Sequence, residues 1–207
     1  MNSLPFNTTG LCAEEIERLQ ETYKALREKY NVQFTGNIDF HLEQFEVFKS
    51  FANINVRDCY VIKQDHNNDT YILFIETLGQ TKGVNGEIVS HCGYQTWALA
   101  YLKNDFGRVK IRRETLADKI IELVHPIELD FDEDKPFSDT FYVLVNDRQK
   151  AISAFSRNFR NVVMDIREDD LVIEIAGHTL IIGDKNPLSY EKAIYLADFV
   201  VRLAAVC

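Results

Sequence analysis

Several common signatures are missing from this chain of 207 residues, and each absence argues against a class of protein. The four cysteines, at positions 12, 59, 92 and 207, form no CxxC pair and no close cluster, which argues against a zinc cage or a disulfide framework. No HExxH, GxxxxGK[ST] or GxSxG motif occurs. The sequence therefore shows no sign of a metalloprotease, of a phosphate-binding P-loop or of the nucleophile elbow of a hydrolase. We therefore expect no metal and no cofactor.

Positive charge is scarce as well, with 23 Lys and Arg against 32 Asp and Glu and a net charge of −9. Nucleic acids and anionic membrane surfaces select for clustered basic residues, so neither is an expected partner. No apolar run reaches the roughly 20 residues that a membrane span needs, and the first residues do not resemble a secretory signal. The sequence predicts a soluble, cytoplasmic protein without membrane insertion, and its 46% apolar residues suffice for a core.

Two helices are indicated at the ends of the chain. In the segment 13–30 apolar residues recur at steps of three and four, which predicts an amphipathic helix whose stripe is Ile16, Leu19, Tyr23, Leu26 and Tyr30. The last element has Asn186 as a cap and Pro187 as its first helical residue. Its apolar residues surround most of the helix, which predicts deep packing or a subunit interface.

Between Val32 and Arg113 the pattern changes to runs of aromatic and β-branched residues separated by polar turns, which is typical of strands. The runs INVRDCYVIKQD and TYILFIETL flank the turn-forming HNND, so a long antiparallel hairpin is expected. Some runs are apolar on both faces, and helices are the expected cover.

The C-terminal half of the sequence predicts a different order of helices and strands. A short helix over 115–124 ends at Pro126, a strand follows over 140–145, and a helix starts at Asp147. Three strands are expected after it, centred on Val163, Ile173 and Ile181, before the last helix. The prediction is a single α+β domain over 1–207, with a mostly antiparallel meander first, then strand, helix, three strands and helix, and a lobe boundary near 125–136.

An acidic segment precedes the strand that is predicted over 140–145. Its spacing fails the calcium-loop pattern, because Phe131 lies inside it and Pro136 stands where a glycine would allow the sharp turn. In an extended segment the acids fall largely on one side and the apolar residues on the other, which favours a solvated strand edge over a metal site. The acidic residues are Glu128, Asp130, Asp132, Glu133 and Asp134.

Aromatic residues on the long strands are the candidate lining of a pocket for a small apolar ligand between the sheet and a helix. Simple filling of the core is the favoured interpretation, since aromatic residues dominate ordinary cores. The candidates are Tyr60, Tyr71, Phe74, Tyr94, Trp97 and Tyr101.

A cysteine nucleophile is the remaining catalytic candidate. Cys92 would need His41 or His125 as its base, because the adjacent His91 points to the opposite face of a strand. An inert thiol is favoured. The first hypothesis is therefore a non-enzymatic binding or interaction module that self-associates through its last helix or a sheet edge, with a ligand carrier and a small hydrolase-like enzyme as alternatives.

The stretch IELDFDEDKPFSDTFYVLVNDRQKAISAF resembles a region of uncharacterised bacterial proteins, many of them membrane-attached, with the pattern IDFxxxxxFSxxYxLxGxDxxxxRxLF. The preceding YQTWALAYLKNDFGRVKIRRE is similar to the same family. This chain departs from the pattern with Phe141 for Tyr, Val145 for Gly and Gly107 for Pro. The resemblance covers about the last three fifths of the chain and implies an assembly or sensing module. It carries over no catalytic residue. The residues that match are Phe137, Ser138, Val143, Asp147 and Phe155.

Overall fold

Eight strands, five helices and two 3-10 turns make up the part of the chain that the computed structural model describes, residues 8–36, 38–64, 68–82, 87–113 and 128–206. In chain order they are α1 (Ala13–Lys29), β1 (Val32–Phe34), the turns Leu42–Gln44 and Glu46–Phe48, β2 (Asn53–Ile62), β3 (Thr70–Lys82), β4 (Ile88–Tyr101), β5 (Arg108–Arg113), α2 (Lys135–Ser138), β6 (Phe141–Val145), α3 (Arg148–Ala154), α4 (Arg157–Val163), β7 (Val172–Ala176), β8 (Thr179–Gly183) and α5 (Tyr190–Val206).

All eight strands belong to one sheet in the order β1-β2-β3-β4-β8-β7-β5-β6, and every neighbouring pair is antiparallel. The predicted α+β class and the N-terminal meander are confirmed. The predicted hairpin is the β2–β3 pair, whose register runs from Asn53 opposite Leu78 to Ile62 opposite Thr70. β4 lies near the middle of the sheet and joins this meander to the C-terminal strands.

One face of the sheet is covered by α1 and α5, and we call it the helix face. Leu19 and Leu26 of α1 are buried in the same core cluster as Phe199 and Leu203 of α5. Glu15 strengthens the start of α1, because its carboxylate accepts a hydrogen bond from the backbone N–H of Cys12 at 2.8 Å. The apolar surface of α5 lies inside the core of its own chain, which accounts for its pattern without a subunit interface.

The opposite face, which we call the turn face, is covered by the segment 40–51 and its two 3-10 turns. Five of its apolar side chains are buried against strand residues that include Leu73, Trp97 and Leu99, and they are Phe40, Leu42, Phe45, Val47 and Phe48. Helices cover the first face as expected, whereas this second face is covered by a segment too irregular to show a period. The strands are therefore apolar on both sides because both sides are covered.

Two details of the C-terminal half differ from the prediction. Val163 lies in α4 rather than in a strand, because the Ser156 hydroxyl caps this helix and apolar residues return at helical spacing. α5 begins at Tyr190 rather than Pro187, because the N–H of Leu188 bonds to strand β4. The predicted helix over 115–124, and the start of the predicted lobe boundary, lie outside the described residues.

Candidate functional site

The six aromatic candidates are divided between the two faces of the sheet, since successive strand residues point to opposite sides. Tyr60 and Phe74 pack together on the helix face, with ring centroids 5.1 Å apart. Tyr71 and Tyr101 meet on the turn face at 5.9 Å, where Trp97 also lies. These five rings therefore line no common cavity.

Tyr94, the sixth candidate, belongs to a polar cluster on the helix face around Glu76. The Tyr94 hydroxyl donates to Glu76 Oε1 at 3.1 Å, and Cys92 Sγ lies 3.6 Å from the same oxygen. Arg57 approaches the other carboxylate oxygen at 3.6 Å. A depression of about 250 Å³ opens beside Cys92 and Tyr94, towards the first turn of α1.

The thiol in this cluster is not poised for nucleophilic attack. Burial raises the pKa of Cys92, and the adjacent Glu76 carboxylate raises it further, although the Tyr94 hydroxyl opposes them. A nucleophilic cysteine needs the reverse, a thiolate held beside a cation. Of the two candidate bases, His41 lies 3.4 Å from Asp39 and 3.5 Å from Glu43, and His125 lies outside the described residues.

A second feature is the outer edge of β4. β8 pairs with β4 only from Trp97 to Tyr101, so the first half of this 14-residue strand is bonded on one side, to β3. The backbone N–H of Leu188 donates to the Tyr94 carbonyl at 3.0 Å, which shows that the polar groups of Tyr94 point away from β3. By the alternation of an antiparallel strand, those of Ile88, Ser90 and Cys92 point the same way.

Nothing in the described part of the chain accepts or donates a hydrogen bond at these outward-pointing backbone groups of Ile88, Ser90 and Cys92. Their side chains are exposed, and Ile88 is 64% accessible. The segment 88–93 contains no acid, lysine, arginine or proline. Such residues are the usual means by which a strand edge is kept from pairing with another chain.

The two outermost strands of the sheet offer less open edge for pairing with another chain. β1 has three residues, and short edge strands pair weakly. β6 is partly covered, because Glu128 forms a bridge opposite Leu144 and the N–H of Leu129 donates to the Val143 carbonyl at 2.9 Å. The first half of β4 is therefore a longer open edge than either of these two outermost strands presents.

Two carboxylates of the acidic segment 128–134 form ion pairs with Arg160 of the same chain. Buried Arg160 pairs with Asp134 at 2.7 Å and with Glu133 at 3.4 Å, and its guanidinium lies over the Phe131 ring. Asp130 and Asp132 are exposed. Three potential ligand atoms approach within 4.8 Å in the described chain at another place, on the exposed residues Asp39, His41 and Glu43.

The residues that carry the family resemblance hold the fold together. Phe137 and Phe155 are buried in the core of the helix face. The Ser138 hydroxyl accepts a hydrogen bond from the Phe131 N–H at 2.8 Å. Asp147 caps α3 by accepting from the N–H groups of Gln149 and Lys150. This stretch thus works as a folding element, and the resemblance stays a prediction.

Comparison with known proteins adds no relative: no family model, no curated protein and no solved structure matches the chain. Within the described ranges, no helix is both long and apolar enough to cross a membrane. Sequence reasoning missed the open edge of β4. Its available signal was the uncharged segment 88–93, but the limit of pairing with β8 depends on residues about eighty positions further along.

Proposed function

We propose that this protein is a non-enzymatic interaction module that pairs with a second copy of itself along the open half of β4. The observation that carries the proposal is the row of outward-pointing backbone groups at Ile88, Ser90 and Cys92 on an uncharged edge. Antiparallel strand addition satisfies such groups directly. The resemblance to uncharacterised bacterial proteins, which implies an assembly or sensing module, agrees with this role.

A two-fold axis beside Ser90 gives the most favourable register. Ser90 then faces its own copy, and Ile88 faces Cys92 of the other subunit. In an antiparallel ladder each such pair exchanges two hydrogen bonds, so the contact gains about six. The interface is isologous, with the same patch used twice, so the contact closes a dimer and uses up this edge in both copies. Pairing also places the Ile88 side chain against Cys92 of the other subunit, which removes part of its surface from water.

The two alternative functions have weaker support. A carrier would need the aromatic candidates around one cavity, but Tyr60 and Trp97 lie on opposite faces of the sheet. A cysteine hydrolase would need a thiolate, but the environment of Cys92 raises the pKa of its thiol.

We also propose a single domain in a cytoplasmic setting. One sheet holds strands from both sides of the segment 125–136, which supports one folding unit. Cys12 and Cys92 are exposed free thiols, as expected for a reducing compartment.

The experiment compares Ser90→Pro with Ser90→Ala. Proline removes the outward N–H and blocks pairing, yet this N–H makes no bond to β3, so the fold should persist. Alanine keeps the N–H and serves as the matched control. Sedimentation equilibrium under reducing conditions, at about 100 µM because small strand contacts have micromolar affinity, should show a dimer for wild type and Ser90→Ala. Ser90→Pro should be a monomer.

Ser90→Lys supplies a second variant if proline disturbs folding, since two lysines facing each other repel. A strictly monomeric wild-type protein at this concentration would overturn the proposal. So would a Ser90→Pro dimer as tight as the wild type with unchanged circular dichroism.

A further inference from the structure

A groove crosses the turn face at one end of β8 and is separate from the open edge of β4. Its cavity volume is about 460 Å³, within the range of small-molecule sites. One wall is the segment 46–50, the other is the loop 184–186, and the floor is made by Trp97, Val172 and Lys110 on three different strands. Rigid sheet positions therefore form the floor.

Two buried carboxylates support this groove, and each is neutralised within the protein. Glu174 lies 3.3 Å from the Lys110 ammonium and also accepts the backbone N–H of Val47. Asp184 pairs with Lys192 at 2.6 Å. A buried ion without a partner costs several kcal/mol, so these pairings hold the floor and the rim in place. The charges of both acids are thus balanced, although Glu174 Oε1 has no hydrogen-bond partner among the described residues.

Two other charged groups that line the groove have no opposite charge of their own. The Lys185 ammonium bonds to the Ser50 hydroxyl at 3.1 Å and lies over the Phe51 ring, with no carboxylate within 4.0 Å among the described residues. Asp170 has the Asn186 amide at 3.5 Å and, in the same described ranges, no cation. The groove thus presents one uncompensated positive and one uncompensated negative group.

The remaining charge on the lining is Glu46, which is paired with Lys49. Because Lys110, Asp184 and Glu46 are each balanced locally, Lys185 and Asp170 are, among the described residues that line the groove, the two that offer unmatched charge to a bound molecule. A ligand of a single sign would satisfy one of them and repel the other. A ligand that carries both signs satisfies both.

We propose that this groove binds a free α-amino acid in its zwitterionic form. The ligand carboxylate lies against Lys185 and Ser50, the ligand ammonium lies against Asp170 and the Asn186 carbonyl oxygen, and the ligand side chain extends along the groove past Val172, near buried Trp97. The site does not depend on pairing through β4, so the failure of either proposal leaves the other standing.

Trp97 supplies the measurement, because it is the one tryptophan of the sequence and it lines the groove. The twenty amino acids are titrated into the wild-type protein, and its emission and the heat of binding are recorded. At least one amino acid should give a saturable change. Its N-acetyl and amide derivatives, each lacking one charge, should bind about tenfold more weakly, since each loses a charge-assisted hydrogen bond.

Lys185→Gln and Asp170→Asn test the two ends of the site, and Lys135→Gln, an exposed lysine on α2, is the matched control. Each of the first two should weaken binding about tenfold, while the control should leave it unchanged. All three residues are exposed, so thermal melts should be unaffected. The proposal is overturned if no amino acid binds saturably, if simple carboxylates or amines bind as tightly, or if both groove variants bind like wild type.

Discussion

The open halves of β2 and β4 lie on either side of β3, yet the two edges differ. β2 is bonded on its outer side to β1 only from Tyr60 to Ile62, just as β4 is bonded to β8 only over its second half. The open half of β2 is irregular and charged: a bulge separates Val56 from Asp58, and Arg57 bonds to the Thr9 carbonyl. Bulges and inward-pointing charges are established ways to prevent edge pairing. The open edge of β2 is thus protected from pairing and that of β4 is not, which supports the proposal that β4 pairs with a second copy.

The largest expected effect concerns the closed half of β4, where Trp97 faces Gly183 of β8. A Cβ atom on Gly183 would lie 2.5 Å from Trp97 Cδ2, a contact that the packed face cannot relieve without shifting the ring. Gly183→Ala should therefore destabilise the fold by about 1–3 kcal/mol, as overpacked cores do. Urea unfolding followed by circular dichroism measures the change.

Trp97→Val tests the cause, because valine has no δ or ε atoms and therefore lacks the two ring atoms that a residue-183 Cβ would meet. Gly183→Ala should cost about 1 kcal/mol less in the Trp97→Val background than in wild type. Equal costs in the two backgrounds would show that the ring is not the obstacle. Either way, the dimer contact at Ser90 should survive in the folded fraction.

The next largest effect concerns Asp58, which follows the bulge in the open half of β2, and it tests whether this charged residue lowers the stability of the fold. Burial raises the pKa of Asp58 from an ordinary value near 3.8 to about 6, although the Cys59 N–H bond opposes the shift. The folded state then binds this proton more tightly than the unfolded state, so stability falls as the pH rises from about 4 to about 6. Asp58→Asn should stabilise the protein by about 1 kcal/mol at pH 7, less than the full shift implies because the carboxyl is partly exposed.

Urea unfolding at pH 4, 5, 6 and 7 should show the advantage of Asp58→Asn shrinking towards zero at the acid end. Asp132→Asn, which changes an exposed acid of the segment 128–134, serves as the control. A variant that is less stable than wild type at pH 7, or equally advantaged at pH 4, would contradict this account of Asp58.

The smallest effect on stability belongs to the open half of β4. Ile88 is 64% exposed, so Ile88→Ser should change the stability of the monomer by no more than about 0.5 kcal/mol. It should nevertheless weaken the dimer, because part of the side chain leaves water on pairing. Ile152→Ser, at a 50% exposed site on α3, should leave both quantities unchanged. Dilution experiments by sedimentation, with thermal melts at low concentration, separate the two quantities.

Local patterns predicted the regular elements well. The period of three and four in α1 and the turn cluster between β2 and β3 were sufficient signals, because each depends on neighbouring residues alone. The run around Val163 was ambiguous, since a short apolar run suits a buried strand or a helix, and the Ser156 cap decided it. The cover of the turn face has no period, so its role could not be predicted.

The sites were harder to predict because they depend on distant pairing. Lys185, Asp170 and Trp97 come from three separate segments, and only the sheet order brings them to one groove. The open edge of β4 is likewise defined by where β8 stops pairing. What the sequence did show was which side chains were apolar, and three of the six aromatic candidates, Tyr60, Phe74 and Trp97, proved to be buried core residues.

The packing of α5 against α1 has a consequence for how the protein is made. Lys29 and Asp198 meet at 2.6 Å although 169 positions separate them. The part of the helix face under α5 therefore stays uncovered during synthesis until the segment 190–206 has emerged from the ribosome, and until then the apolar strand residues beneath α5 are exposed to water. Contacts of such long range slow folding and expose a nascent chain to aggregation. We expect the newly made chain to need protection by a chaperone, for longer than its size alone would suggest.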